Sequence, residues 1–169
     1  MYAGKISKEK GVDFLLETFA NFSGMKLYLA GELEDGFAVP KNSNIVNLGF
    51  VPTDQLNEYI RNSKCVVSAS QLPETFGLIA LEAMSHGKPF VGFNKGAYGE
   101  IITDGVDGFI VSSKKEFKKK LEQIAGNKMI FNESEIKERS KKYDDQTYLK
   151  EISNLFSEAV AKKVSDDKN

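Results

Sequence analysis

The chain has 169 residues, 41% hydrophobic and 28% charged, with 14 glycines and 4 prolines, which excludes collagen-like, low-complexity and wholly disordered chains and fits one compact domain. Its 23 basic and 24 acidic side chains leave a net charge of −1 with no long one-sign block, so the electrostatic footprint of a nucleic-acid binder is missing. One cysteine and one histidine exclude an internal disulfide and a Cys/His zinc set. No apolar run reaches the roughly 18 residues of a membrane span, and M-Y-A-G-K-I-S-K lacks a signal peptide's apolar stretch. The expectation is a chain neither exported nor inserted, in a reducing cytoplasm.

The first β-rich run is Y-A-G-K-I, residues 2–6. Val12, Leu15, Leu16, Phe19 and Phe22 then recur at intervals of three or four, one face of a helix that can lie on a sheet. The runs K-L-Y-L-A-G and N-I-V-N-L-G-F follow, joined by the polar loop E-L-E-D-G-F-A-V-P-K-N-S. Pro52, at an N1-like position, opens the helical stretch P-T-D-Q-L-N-E-Y-I-R-N. The runs C-V-V-S-A-S, P-F-V-G-F and G-F-I-V continue the rhythm. This alternation predicts an α/β fold: a doubly wound, mainly parallel sheet with helices on both faces, Rossmann-like, with ligands at the carboxyl ends of the strands.

Residues 1–111 hold 9 basic and 13 acidic side chains, a net −4, whereas residues 112–169 hold 14 and 11, a net +3. The second segment reads as helical throughout. In its last helix Tyr148, Leu149, Ile152, Leu155, Phe156, Ala159 and Val160 form an apolar stripe that must be buried against this domain or against something beyond it. A single domain over 1–164 is expected, with a frayed tail at 165–169.

The strongest local signal is P-E-T-F-G-L-I-A-L-E-A-M-S-H-G-K-P, residues 73–89, directly after the fourth run. A strand, a short loop and a helix start meet here. From Phe76 to Met84 all residues are apolar or glycine except Glu82, so the helix reads as buried all round with one carboxylate that needs a partner. Gly77 lets a ligand approach the backbone, and free N–H groups at the helix start suit a phosphate. Glu82 stands about 9 Å along the axis from Phe76, at about 1.5 Å per residue, a reach compatible with a ribose next to its phosphates. The alternative is that Glu74 is an ordinary loop acid and Glu82 pairs with a nearby cation.

Lys5, Lys8 and Lys10 cluster after the first strand, where point charges suit a diphosphate and the developing charge of a leaving nucleotide; a solvated loop is the plainer reading of any one of them. Neither G-x-G-x-x-G nor G-x-x-x-x-G-K-[ST] is present, which argues against dehydrogenase and P-loop chemistry. His86 before Gly87 reads as a helix terminator rather than a general acid or base, and Cys65 as core. N-K-G-A-Y-G-E, residues 94–100, reads equally as a ligand-facing loop and a plain βα turn.

Together these stretches resemble the C-terminal, donor-binding domain of the family 4 glycosyltransferases, retaining enzymes of the glycosyltransferase-B fold, over roughly residues 2–125. Gly4-Lys5-Ile6-Ser7-Lys8-Glu9-Lys10-Gly11 looks like the family's G-R-x-x-x-x-K-G, and Glu74 through Glu82 matches E-x-F-G-x-x-x-x-E. Leu48 to Pro52 resembles L-G-x-V-P, Glu82 to Phe90 matches E-A-M-x-x-G-K-P-V, and Gly96 to Glu100 resembles G-G-x-x-E. Lys5 stands where Arg is commoner, losing a bidentate fork, and Ala97 replaces the second glycine of the last motif.

The resemblance implies that Lys5, Lys10 and Glu74 are catalytic: the lysines hold the donor diphosphate, and Glu74 hydrogen-bonds the transferred sugar. It implies that Phe76, Gly77 and Leu78 offer backbone amides, that Glu82 takes the ribose hydroxyls, that Phe50-Val51 borders the base, and that Glu100 lies near the site without an assigned role. No metal and no cofactor are expected, since the lysines substitute for a cation and no D-x-D motif is present. The expected partners are a nucleotide-diphosphate sugar and an acceptor-binding N-terminal domain or subunit that is absent here, so that the isolated domain binds donor and is inactive in transfer. Membrane association is expected only indirectly, at the inner face, if the acceptor is lipid-linked. The rival expectations are a non-catalytic nucleotide-sugar-binding or assembly module that uses the last helix for a partner, and a receiver-like domain, which lacks its acidic pocket and phospho-acceptor.

Overall fold

The computed structural model describes residues 1–166, with side chains described for all of these except Glu151 and 159–166. In chain order the elements are β1 Tyr2–Ala3, α1 Val12–Phe19, β2 Leu27–Ala30, β3 Ile45–Gly49, α2 Thr53–Arg61, β4 Val66–Ser68, α3 Leu78–Ser85, β5 Phe90–Phe93, α4 Tyr98–Ile101, β6 Gly108–Val111, α5 Lys114–Ala125, α6 Glu133–Ser140, a 3-10 turn Lys141–Tyr143, and α7 Asp145–Asp166. All six β-rich runs of the sequence are strands.

The strands form two parallel sheets, β1-β2-β3 and β4-β5-β6. Two backbone hydrogen bonds join them edge to edge: Met1 N donates to Cys65 O at 2.9 Å and Val67 N to Met1 O at 2.9 Å. The order across the joined layer is therefore β3-β2-β1-β4-β5-β6, the doubly wound arrangement in which the strand order reverses between β1 and β4.

Side-chain alternation divides the core between two faces. On one, Leu27, Leu29, Val67, Val91, Phe93, Phe109 and Val111 pack against Phe14, Leu15 and Phe19 of α1 and Phe117, Leu121 and Ile124 of α5. On the other, Ala30, Val66 and Phe90 pack against Ile60 of α2, Ala80, Ala83 and Met84 of α3, Tyr98 and Ile101 of α4, and Ile136 of α6. Helices thus cover both faces, as the alternation predicts. Phe117 sits between Phe14 and Phe93, with ring centroids 5.4 and 5.2 Å away. Emptying such a site costs about 3–5 kcal/mol.

Local signals account for the boundaries. Ser113 caps α5, its hydroxyl accepting from Glu116 N at 3.2 Å, and Asn132 caps α6 through Ser134 N and Glu135 N. Helix α1 stops at Phe19, so Phe22 lies on the following turn with its ring centroid 5.1 Å from that of Phe19. Pro52 is the N-cap of α2 in an extended conformation rather than its first helical residue. The segment from 112 onward is not helical throughout: it breaks at 126–132, where Asn127 takes a positive φ of 52°. Asp107, wholly buried, accepts from Thr103 N at 3.1 Å and Arg139 Nε at 2.7 Å, tying α6 to the entrance of β6.

Most of the described side chains of the α7 stripe are uncovered by this domain: Tyr148, Leu149, Leu155 and Phe156 are exposed, and Ile152 is half-buried. The side chains of Ala159 and Val160, also assigned to the stripe, lie outside the described residues. Helix α7 takes in residues 165 and 166 of the expected tail, and 167–169 lie outside the described residues. Among the described residues no helix is long and apolar enough to cross a membrane.

Candidate functional site

The crevice forms where β1 and β4 lie side by side while α1 and α3, the helices that follow them, go to opposite faces. Two loops border it, 4–11 after β1 and 69–77 after β4. Gly11, at φ 69°, lets them touch, since a Cβ there would stand 1.9 Å from Ala69 O. Gln71 N donates to Glu9 O at 3.0 Å and fastens the pair. The result is that Lys10 Nζ lies 2.7 Å from Glu74 Oε1, with the two side chains 34% and 22% exposed.

Glu74 is held from behind by the loop after β5. Ala97 N donates to Glu74 O at 2.9 Å, and Gly96, at φ 66°, fits where a Cβ would stand 2.2 Å from that same oxygen. The segment N-K-G-A-Y-G-E thus positions a cleft residue. Gly77, at φ 75°, is the N-cap of α3 and rests on Tyr98 and Ile101. Among the described residues the amides of Gly77, Leu78 and Ile79 have no acceptor, so the positive end of α3 faces the crevice with free donors.

The cleft has a volume of about 220 Å³, and Lys10, Glu74, Phe76, Gly77 and Leu78 line it together with Tyr2, Ser68 and Tyr98. Phe76 and Leu78 form an exposed apolar rim, 57% and 64% accessible. Lys5 does not line it; its ammonium donates to Glu34 Oε1 at 2.9 Å on the loop after β2, and that carboxylate raises its pKa. Glu82 does not line the cleft either. It is exposed one helical turn beyond Leu78, so α3 is not buried all round: Leu78, Glu82 and Ser85 form an open face. Partial desolvation raises the Glu82 pKa above the ordinary carboxylate range, and among the described residues it has no ion-pair partner.

The sequence reading missed the hydroxyls on the cleft floor. Tyr2 OH donates to Lys5 O at 2.6 Å, and Tyr98 OH donates to Ser68 Oγ at 3.1 Å. Burial above all raises both phenol pKa values, that of Tyr98 to about 12, so both stay protonated and neutral. A tyrosine between the two glycines of residues 94–100 was the one available signal.

Phe50 is exposed beyond β3, and Glu100 is exposed on α4. His86 terminates α3 and meets Asn57 Oδ1 through Nε2 at 3.0 Å; burial, with help from Arg61 and Lys137, lowers its pKa. Cys65 is core. A larger cavity, about 820 Å³, opens at the amino ends of the strands between Phe19, Met25, Tyr28, Tyr59 and Cys65, and none of the sequence-predicted site residues lines it. Among the described residues the chemistry-bearing groups converge in the smaller cleft: a cation, a carboxylate, unspent backbone donors and neutral hydroxyls, a set suited to an anionic, hydroxyl-rich ligand.

The model of a family described as glycosyl transferases group 1 matches residues 1–147. The chain is 27% identical over 167 residues to an uncharacterized glycosyltransferase of Methanocaldococcus jannaschii, covering 94% of this chain and 47% of the relative. It is 28% identical over 130 residues to lipopolysaccharide 1,2-N-acetylglucosaminetransferase of Salmonella typhimurium, covering 64% and 33%. Among solved structures, the lipopolysaccharide outer core galactosyltransferase WaaB in its apo form matches with a TM-score of 0.79 at 20% identity, over 93% of this chain and 48% of that one. HepE of Anabaena in complex with UDP matches with 0.74 at 22%, over 93% and 48%. The chain spans between a third and a half of the length of these relatives. A doubly wound sheet with its crevice at the β1/β4 reversal, and a family match that runs through both crevice loops to the start of α7, agree on one assignment: the chain belongs to the group 1 glycosyl transferases.

Proposed function

We propose that this chain is the donor-binding half of a retaining glycosyltransferase of the hexosyl type, taking a nucleoside-diphosphate sugar for transfer to an acceptor held by a second, N-terminal half. The convergence of Lys10 and Glu74 in front of the free amides of α3 carries this reading. The ligand class is supported by HepE, whose structures hold UDP and UDP-glucose.

In this reading the Gly77 and Leu78 amides and the Lys10 ammonium receive the diphosphate and neutralise it as it leaves. Glu74 turns from Lys10 to accept from a hydroxyl of the transferred sugar, and Lys5 swings from Glu34 toward the phosphates. Glu82, on the open face of α3, takes the ribose hydroxyls, and Phe76 contributes its backbone amide and shields the cleft mouth. Attack and departure on one face of the sugar retain configuration, with no metal and no cofactor. The exposed α7 face, Tyr148 to Phe156, is the docking surface for the other half, and this chain alone binds donor without transferring it. The enzyme works on the cytoplasmic side, at the inner membrane face if its acceptor is lipid-linked.

That same α7 face favours one rival, a non-catalytic nucleotide-sugar-binding or assembly module. The test is a thermal-shift panel of UDP, GDP, ADP and their sugars on wild type, Lys10→Ala and Glu82→Ala. A ligand at 100 times its dissociation constant stabilises by about 2.7 kcal/mol. A shift confined to one base and lost in both variants is the expected result; affinity unchanged in both variants sinks the reading. Transfer by the two halves together, absent from either alone, separates enzyme from module.

A further inference from the structure

We propose that Ser68 is a sugar-contacting residue of this cleft and Tyr98 its positioning residue. The inference rests on the donor-binding reading above and adds Ser68, which lies in none of the sequence motifs, and Tyr98, an unassigned position of the Gly96 to Glu100 motif. Ser68 closes β4 at the crevice and Tyr98 opens α4; each is buried, and each lines the cleft.

A serine hydroxyl has one proton to give and two lone pairs. Tyr98 OH occupies one lone pair of Ser68 Oγ from 3.1 Å, and among the described residues Ser68 donates to no acceptor. Two hydroxyls joined by one hydrogen bond leave one O–H unspent, and a buried unspent donor is costly unless a ligand or water takes it. Ser68 lines the cleft, so a ligand there can take it.

Tyr98 is fixed independently of Ser68. Its ring lies 4.7 Å from that of Phe90, centroid to centroid, and lies beneath Gly77, where a Cβ would stand 3.1 Å from Tyr98 Cδ1. The phenol cannot turn away, so it sets the direction in which Ser68 points its proton. The buried hydroxyl pair lines the same cleft as Glu74, the carboxylate assigned to the sugar, while Phe76 and Leu78 stand exposed at the rim. The ligand group met here is an acceptor oxygen of the transferred glycosyl ring, so Glu74 accepts from the sugar while Ser68 donates to it.

The experiment measures affinity of the 169-residue chain for UDP and for UDP-glucose by calorimetry, with the GDP and ADP pairs alongside, in wild type, Ser68→Ala, Tyr98→Phe and the double variant. Ser68→Ala is expected to weaken the nucleotide sugar about three- to tenfold, the range of one neutral hydrogen bond, and to leave the free nucleotide diphosphate unchanged. Tyr98→Phe, which keeps the ring, shows a smaller loss in the same ratio, and the double variant matches Ser68→Ala alone. An unchanged ratio, or equal weakening of both ligands, overturns the inference while leaving donor binding in place. A wild-type chain that binds none of the ligands overturns the donor reading and the pair with it.

Discussion

Gly96 is pressed against Glu74: Ala97 N donates to Glu74 O at 2.9 Å, and a Cβ on Gly96 would stand 2.2 Å from that oxygen. Gly96→Ala therefore forces the loop off Glu74 and also carries a side chain at φ 66°. Gly105 supplies the control, with a φ of 80° and nothing within 4 Å of its Cβ direction. Gly105→Ala should cost about 1–2 kcal/mol from conformation alone. Gly96→Ala should cost more, and it alone should weaken nucleotide-sugar binding. Urea midpoints of the two variants check this, and equal costs would show that the close approach carries no energy.

The Lys10–Glu74 pair is short but still wetted, with 34% and 22% of its side chains accessible. Pairs of this kind contribute at most about 1 kcal/mol to folding. Lys10→Ala and Glu74→Ala should thus shift the unfolding midpoint little while each abolishes most of the nucleotide-sugar affinity. Denaturation and binding measured on the same samples decide it. A large stability loss with binding intact would make the pair a structural tie.

Glu82 gives stability a definite slope with pH. Its folded pKa is raised above the ordinary 4.5 by desolvation, so as pH climbs from there the unfolded chain ionises first and binds fewer protons than the folded one. Stability from this group is full below that range and falls as pH rises to the raised folded value. Glu82→Gln should flatten that decline. Unfolding midpoints of both proteins between pH 4 and 7 test it, and a wild-type curve that rises relative to the variant contradicts the shift.

The strands were legible because each is a short β-rich run bounded by glycine or polar residues, and Val12 to Phe19 declares the amphipathic face of α1. Lys10, Glu74 and Gly77 were legible because strand, loop and helix start are consecutive in the chain. What local pattern cannot carry is contact between distant segments: the seating of Gly11 on Ala69, of Gly96 on Glu74, and of Tyr98 under Gly77. The apolar pattern overstates the burial of α3 for a physical reason. Leu78 is apolar and reads as core, yet it borders the crevice, where an apolar rim stays exposed. The sequence points Lys5 at the phosphates, whereas the loop after β2 sets Glu34 within its reach, a pairing invisible from spacing.

Helix α7 poses the last test. Tyr148 and Leu149 are 62% and 63% exposed, and Leu155 and Phe156 are 63% and 69% exposed, so these four side chains add little to the core that α1 through α6 complete. What ties its start is local: Thr147 N donates to Asp144 Oδ1 at 2.7 Å and Thr147 Oγ1 to Lys141 O at 3.1 Å. Ending the chain at Asp144 should therefore cost less than about 1 kcal/mol, a shift of roughly 2–4 °C for a domain of this size. Donor affinity should be retained, because among the described residues none of α7 lines the cleft. The truncated chain should also self-associate less, since a run of large apolar side chains on one helix is a surface that seeks a cover. Calorimetric melting and sedimentation of both lengths measure the two effects. A midpoint that collapses on truncation would mean that α7 covers this domain, and the proposed docking surface would be lost.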